Sequence, residues 1–162
     1  MKKIYLILLC FVLIFPSVTT FAAEQNVEEI VKDTANYIYE SVPNPQVGSI
    51  GGEWAVMGLA RSGADISDEY FEKYYQTAEK HIKDCEGVLH NKKYTEYSRM
   101  ILALTAIGKN PKDVAGYNLL MPLEDYEKTI WQGVNGAIFA LIALDSGDYI
   151  SQSVVREKYV NY

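Results

Sequence analysis

Polar and apolar positions along the chain fall into two kinds of helical segment. In the first kind, apolar residues recur at three- and four-residue intervals. Val27, Ile30, Val31, Thr34, Ile38 and Val42 make one such stripe, stopped by Pro43-Asn44-Pro45. Phe71, Tyr74, Ala78, Ile82 and Cys85 make another. Ser67 is placed to cap its start, Asp68 and Glu69 sit where carboxylates favour the positive end of a helix dipole, and Gly87 closes it. This one-sided spacing predicts helices that cover a core. The second kind comprises residues 54–60, 100–107 and 137–144, which are apolar all the way round. A helix hydrophobic on every side is buried or crosses a membrane. Each of these is far short of the roughly 20 residues a spanning helix needs, so burial is expected. Nothing after the first 22 residues reads well as a strand, and the predicted fold class is all-α.

The apolar segments repeat. Glu53-Trp-Ala-Val-Met-Gly-Leu-Ala-Arg-Ser-Gly63, Ser98-Arg-Met-Ile-Leu-Ala-Leu-Thr-Ala-Ile-Gly108 and Ala137-Ile-Phe-Ala-Leu-Ile-Ala-Leu-Asp-Ser-Gly147 align without gaps. Their terminal glycines, 45 and then 39 residues apart, suit the left-handed cap that ends a helix. That period fits one helical hairpin, an amphipathic outer helix followed by an apolar inner one. The third hairpin is less regular. Pro122 interrupts its outer segment, which predicts a turn at Asn110-Pro111-Lys112-Asp113 and a helix near residues 122–128.

The first 22 residues read differently. Lys2 and Lys3 precede an unbroken apolar run of 12 residues, 4–15, broken by Pro16 and followed by Thr19-Thr20-Phe21-Ala22-Ala23. This is the order of a secretory signal peptide. Cleavage after Ala22 places small Thr20 at the −3 position, whereas cleavage after Ala23 would place bulky Phe21 there. The expected domains are a signal peptide, 1–22, and a helical repeat domain, 23–162, in a secreted or cell-surface protein. Removing the leader takes the basic residues from 15 to 13 against 21 acidic ones, so the net charge moves from −6 to −8. That balance argues against nucleic acid or anionic membrane as a partner. Cys85 is then the only thiol, so stability must come from the core.

Within this frame Gln46-Val-Gly-Ser-Ile-Gly-Gly-Glu-Trp54 resembles the Gln…Gly-x-Trp repeat motif of squalene cyclases and protein prenyltransferase β subunits. Residues 51–63, 93–108 and 131–145 together resemble secreted bacterial surface proteins that carry such repeats. The resemblance covers nearly the whole mature chain and implies a terpenoid cyclase-like α/α toroid, with inner helices around a central cavity. It departs in one respect: a full toroid has about six hairpins, whereas three are countable here, followed by residues 154–162 as an outer helix cut off in mid-pattern. The expectation is a partial toroid from a truncated form of a larger protein, or a short form that closes its open edge by self-association.

The catalytic patterns of the resembling families are missing. There is no Asp-rich cyclase motif; Glu124, Asp125 and Glu127 read as a solvated face. There is no Asp/Cys/His zinc set either. His81 and Cys85 are one helical turn apart, but His90 lies beyond Gly87, so core packing is the better account. No catalytic residue, metal or cofactor is assigned. The candidates for ligand contact are polar-aromatic clusters immediately before each inner helix: Glu53 and Trp54; Glu96, Tyr97 and Arg99; Trp131, Gln132 and Asn135. In a toroid they would share one mouth of the cavity. Aromatic platforms beside Glu, Gln, Asn and Arg suit a small molecule, a glycan or a protein segment; helix capping and hairpin packing would also account for them. The functional expectation is a non-catalytic binding or interaction module. Two alternatives stand beside it: a glycan-active enzyme using Glu53 and Glu96 as paired carboxylates, and a cobalamin-type small-ligand binder.

Overall fold

The computed structural model describes residues 26–147, 149 and 155–162. The expected signal peptide and the expected start of the last outer helix at Val154 lie outside the described residues. Among the described residues there are seven α-helices: α1 (Val27–Ser41), α2 (Trp54–Arg61), α3 (Asp68–Asp84), α4 (Thr95–Ala106), α5 (Tyr126–Thr129), α6 (Val134–Asp145) and α7 (Arg156–Val160). Short 3₁₀ turns occupy Met121–Glu124 and Ile130–Gln132. Among the described residues there is no strand, only an isolated bridge between Val114 and Tyr117. The protein is all-α.

The three apolar segments form a row in which α4 packs against α2 on one side and α6 on the other. Having neighbours on both sides, α4 buries Tyr97, Ser98, Met100, Ile101, Leu102, Ala103 and Leu104. Amphipathic α3 meets this row through Tyr74, whose hydroxyl reaches Glu53 and Met100, and buries Tyr70, Tyr74, Ala78 and Ile82, four residues spaced one turn apart. Full burial of each large apolar side chain contributes about 1.5–3 kcal/mol. The core is therefore carried by α3 and α4, with Leu59 of α2, Leu144 of α6 and the loop residues Val114, Leu119 and Leu123 filling its edges.

Several local expectations are corrected. Segment 137–144 is apolar all round, yet α6 leaves Ile138 and Ile142, with Val134 ahead of them, at 46, 48 and 58% exposure, on a face that α4 and α7, which both pack against this helix, leave uncovered. The stripe of α1 is likewise only partly used: Ile38 and Val42 are half-buried, while Val27, Ile30, Val31 and Thr34 face outward, and the buried residue of this helix is Ala35, off the stripe. Ser67 stands at the N-cap of α3, but its side chain makes no capping bond and lies 3.4 Å from the Tyr39 hydroxyl instead. Gly63 and Gly108 adopt the left-handed conformation that ends α2 and α4, at φ +70° and +73°. Gly147 does not; a β-carbon there would come within 2.4 Å of the Tyr149 ring, so close approach explains that glycine. The third outer helix is broken. Asp125 ends one 3₁₀ turn and caps the four residues of α5 by accepting from the Lys128 N–H at 3.1 Å.

Candidate functional site

Glu53 is the residue around which the sequence-predicted cluster divides. It closes an irregular turn, Ser49–Glu53, whose backbone departs from helix at Ile50, Gly51 and Gly52. Gly52 has no alternative there, since a β-carbon would sit 2.2 Å from the Gln46 carbonyl oxygen. The turn carries the Glu53 carboxylate into the core, where it is 1% exposed. Four hydrogen bonds receive it. The Gly48 N–H donates to both oxygens, at 3.0 and 3.1 Å; the Tyr74 hydroxyl donates at 3.3 Å; and Arg99 Nε donates at 2.9 Å. The same guanidinium reaches forward to Glu96. Exposure grades outward along the chain of charges, from 1% at Glu53 through 12% at Arg99 to 31% at Glu96.

The electrostatics follow from this burial. Desolvation, followed by the charge of Glu53, holds the Tyr74 phenol far above its ordinary range, so it is a neutral donor. For Arg99, burial works against the charge, but the hydrogen bonds it donates to Glu96 and Glu53 outweigh it and raise the guanidinium above its usual value. Two carboxylates share one cation, leaving one net negative charge. Three donors reach the Glu53 carboxylate, the Gly48 N–H being shared between its two oxygens. This group holds α2, α3 and α4 together, and at 1% exposure its carboxylate is closed to a substrate.

The remaining candidates lie apart from that network. Gln132 accepts from the Thr95 N–H at 3.2 Å and from its hydroxyl at 3.0 Å, so a side chain of the third repeat caps the inner helix of the second. Trp54 packs against Phe139 of α6, ring centroids 5.9 Å apart. Trp131 and Asn135 are exposed, and Lys92 stands 5.6 Å over the Trp131 ring.

Tyr97 points elsewhere. Its hydroxyl accepts from the Leu89 N–H at 3.1 Å and donates to the Gly87 carbonyl at 3.3 Å, on the far side of α4 from Arg99's partners. Burial pushes its phenol upward. There it helps line a cleft of about 520 Å³ between the end of α3, the start of α4 and the chain from Tyr117 to Lys128. Tyr94 packs beside it at 5.2 Å. A third tyrosine is delivered by a tight turn. Val114 and Tyr117 exchange both backbone hydrogen bonds around Ala115 and Gly116, whose φ values of +53° and +86° are those of a type I′ hairpin turn. The Tyr117 ring then lies against Gly87, where a β-carbon would meet it at 2.5 Å.

Polar groups complete the cleft: Glu86, His90, Asn91, Asn118 and the Asp125–Lys128 ion pair, 3.1 Å long. Of these lining residues the sequence reading singled out Tyr97 for ligand contact and missed Tyr94, Tyr117, Asn91 and Asn118. Their only signal was an excess of tyrosine, which helix packing explains equally well. His81, Cys85 and His90 do not converge; among the described residues no group of three or more His, Cys, Asp or Glu is placed to hold a metal ion. No protein-family model matches the chain, and no curated protein or solved structure does either.

Proposed function

We propose that this chain is a secreted, non-catalytic binding module built from α/α hairpin repeats of the terpenoid cyclase-like toroid type, and that it takes a polar-faced ligand in the tyrosine cleft. The observation that carries the reading is the cleft itself, which has three tyrosines, amide and imidazole groups, the Glu86 carboxylate and the Asp125–Lys128 pair around about 520 Å³. Ligand sites commonly have volumes of this order, with apolar walls and a few convergent polar groups. The row α2–α4–α6, each helix preceded by an outer segment, is what supports the toroid assignment. The enzyme alternative is weakened by the state of its best residues. Glu53 and Glu96 are near enough to share Arg99, as a carboxylate pair would need to be, but Glu53 is sealed and hydrogen-bonded.

The test is to incubate the secreted chain with glycan and peptide arrays and follow both capture and product formation. Capture without bond cleavage is expected. Turnover that disappears in Glu53→Gln or Glu96→Gln would move the assignment to the glycan-active alternative. A spectroscopic titration showing cobalamin binding would favour the third reading.

One observation favours self-association as a second property. The stripe Val134, Ile138 and Ile142 on α6 and the stripe Val27, Ile30 and Val31 on α1 are both exposed, and the α1 stripe of one copy could cover the α6 stripe of another. Sedimentation should then show a concentration-dependent oligomer that Ile138→Glu with Ile142→Glu converts to monomer. A monomer at all concentrations would remove this property and leave the cleft untouched.

A further inference from the structure

We infer that the tyrosine cleft is built for an uncharged pyranoside, a segment of neutral glycan. The inference rests on the binding-module reading and narrows it to one ligand class. The argument begins with which groups lining the cleft are already committed.

His90 Nδ1 accepts the N–H groups of Lys92 and Lys93, both at 3.0 Å. That assigns the tautomer: Nδ1 carries the lone pair and Nε2 carries the proton, leaving one neutral donor. Asn118 Oδ1 accepts from the Leu120 N–H at 3.0 Å, so its amide nitrogen is the part left over, again a neutral donor. Asn91 is exposed and offers both a donor and an acceptor. These are groups that match hydroxyls, each of which donates and accepts. Charge favours no anionic ligand. Among the described residues Lys128 is the only cation lining the cleft and is paired with Asp125, and the other charged lining residue, Glu86, is an exposed carboxylate, which leaves nothing to hold a phosphate, sulfate or uronate.

The aromatic surface points the same way. Tyr94 and Tyr97 are buried, so they stiffen the wall and do not form an open cage of ring faces for a cation. Tyr117 is half-buried, lies against Gly87 and lines the cleft. One flat apolar platform beside convergent neutral polar groups suits a pyranose ring, whose faces are apolar and whose rim is hydroxyl.

The experiment is calorimetric titration of the secreted chain with cellohexaose, chitohexaose and maltohexaose, with hexagalacturonate and hexalysine as the charged comparisons. At least one neutral hexasaccharide should bind, and more tightly than either charged probe. Tyr117→Ala should weaken that binding about tenfold, which corresponds to about 1.4 kcal/mol. Asn91→Trp, a filling change made at an exposed position, should abolish it without changing the melting temperature. The inference is overturned if no neutral hexasaccharide binds, if a charged probe binds more tightly, or if neutral binding survives both substitutions. Failure of the two readings is distinguishable. Hexalysine capture that is lost in Asn91→Trp would overturn the glycan class and keep the binding module. Cleavage of a bound hexasaccharide would overturn the non-catalytic reading and keep the glycan class.

Discussion

Arg99 illustrates how one side chain can settle the fate of two others. Replacing it with methionine preserves much of its packing but leaves Glu53 buried and short of its cationic partner. Breaking a buried pair on one side typically costs about 3–5 kcal/mol, far more than the pair itself contributes. Arg99→Met should therefore lower unfolding stability by about 3 kcal/mol or more in urea titrations. Adding Glu53→Gln should recover part of that loss, and a double mutant no better than the single would argue against the network. Glycines give a second contrast at this scale. Gly52 and Gly136 occupy the same position in two repeats, and each lies under a backbone carbonyl: a β-carbon would sit 2.2 Å from the oxygen of Gln46 or 1.9 Å from that of Thr129. Gly58, in the middle of α2, has nothing within 4 Å. Gly136→Ala should destabilise by about 1–3 kcal/mol. Gly58→Ala should stabilise by about 0.5–1 kcal/mol, because alanine is the better helix former. Denaturant midpoints of the two variants should shift in opposite directions.

At the scale of elements, the repeats are joined by side chains that cap their neighbours. Neither Tyr94 nor Thr95 caps α4; Gln132, 37 residues on, supplies the acceptor for the first turn. Gln132→Ala removes both bonds to Thr95 and should cost about 1 kcal/mol, in the range of a lost cap. Hydrogen exchange should quicken at the first turn of α4 and leave α3 protected. Protection lost uniformly across the chain would mean that Gln132 does more than cap. The spacing of apolar residues made α3 and α4 legible in advance, because a helical stripe is a local pattern. It failed for residues 121–132, where Pro122 and Asp125 divide one expected helix into 3₁₀ turns and the short α5. Proline at the start of a turn and a capping aspartate were both visible in the sequence. Their joint effect depends on the apolar seats that Leu123 and Thr129 find in the core.

For the molecule as a whole, tyrosine governs the response to alkali. Burial first, then the charge of Glu53, raises the Tyr74 phenol; burial first, then contacts with Glu79, pushes Tyr75 up to about 12; burial also pushes Tyr159 up to about 12. Each holds its proton more tightly folded than unfolded, where it would titrate near 10.0. The sign follows: this stabilisation is fully present below pH 10 and declines as pH rises toward and through the folded values. From pH 10 upward Tyr74 alone should contribute a slope of about −1.4 kcal/mol per pH unit. Urea titrations between pH 8 and 11 should show a flat region and then a fall. In Tyr74→Phe the fall should be shallower, from a starting stability reduced by about 1 kcal/mol for the lost hydrogen bond. A decline of equal slope in the variant would assign the effect to other groups.

Helices, their order and two of the three glycine stops could be read from the chain because each depends on residues within a turn or two of one another. Glu53, Glu96 and Tyr97 all looked alike at that range, as polar or aromatic residues ahead of an apolar run. The sealing of Glu53 and the place of Tyr97 in a cleft wall depend on partners 46 and 10 residues away, and Glu96 stays half-exposed because Arg99, one turn on, is shared with Glu53. Only packing decides which of those partners arrive. The same holds for α6, whose even apolar composition carries no record of which face finds a neighbour. Burial is a property of the assembled row, and the row is made by contacts that no local period encodes.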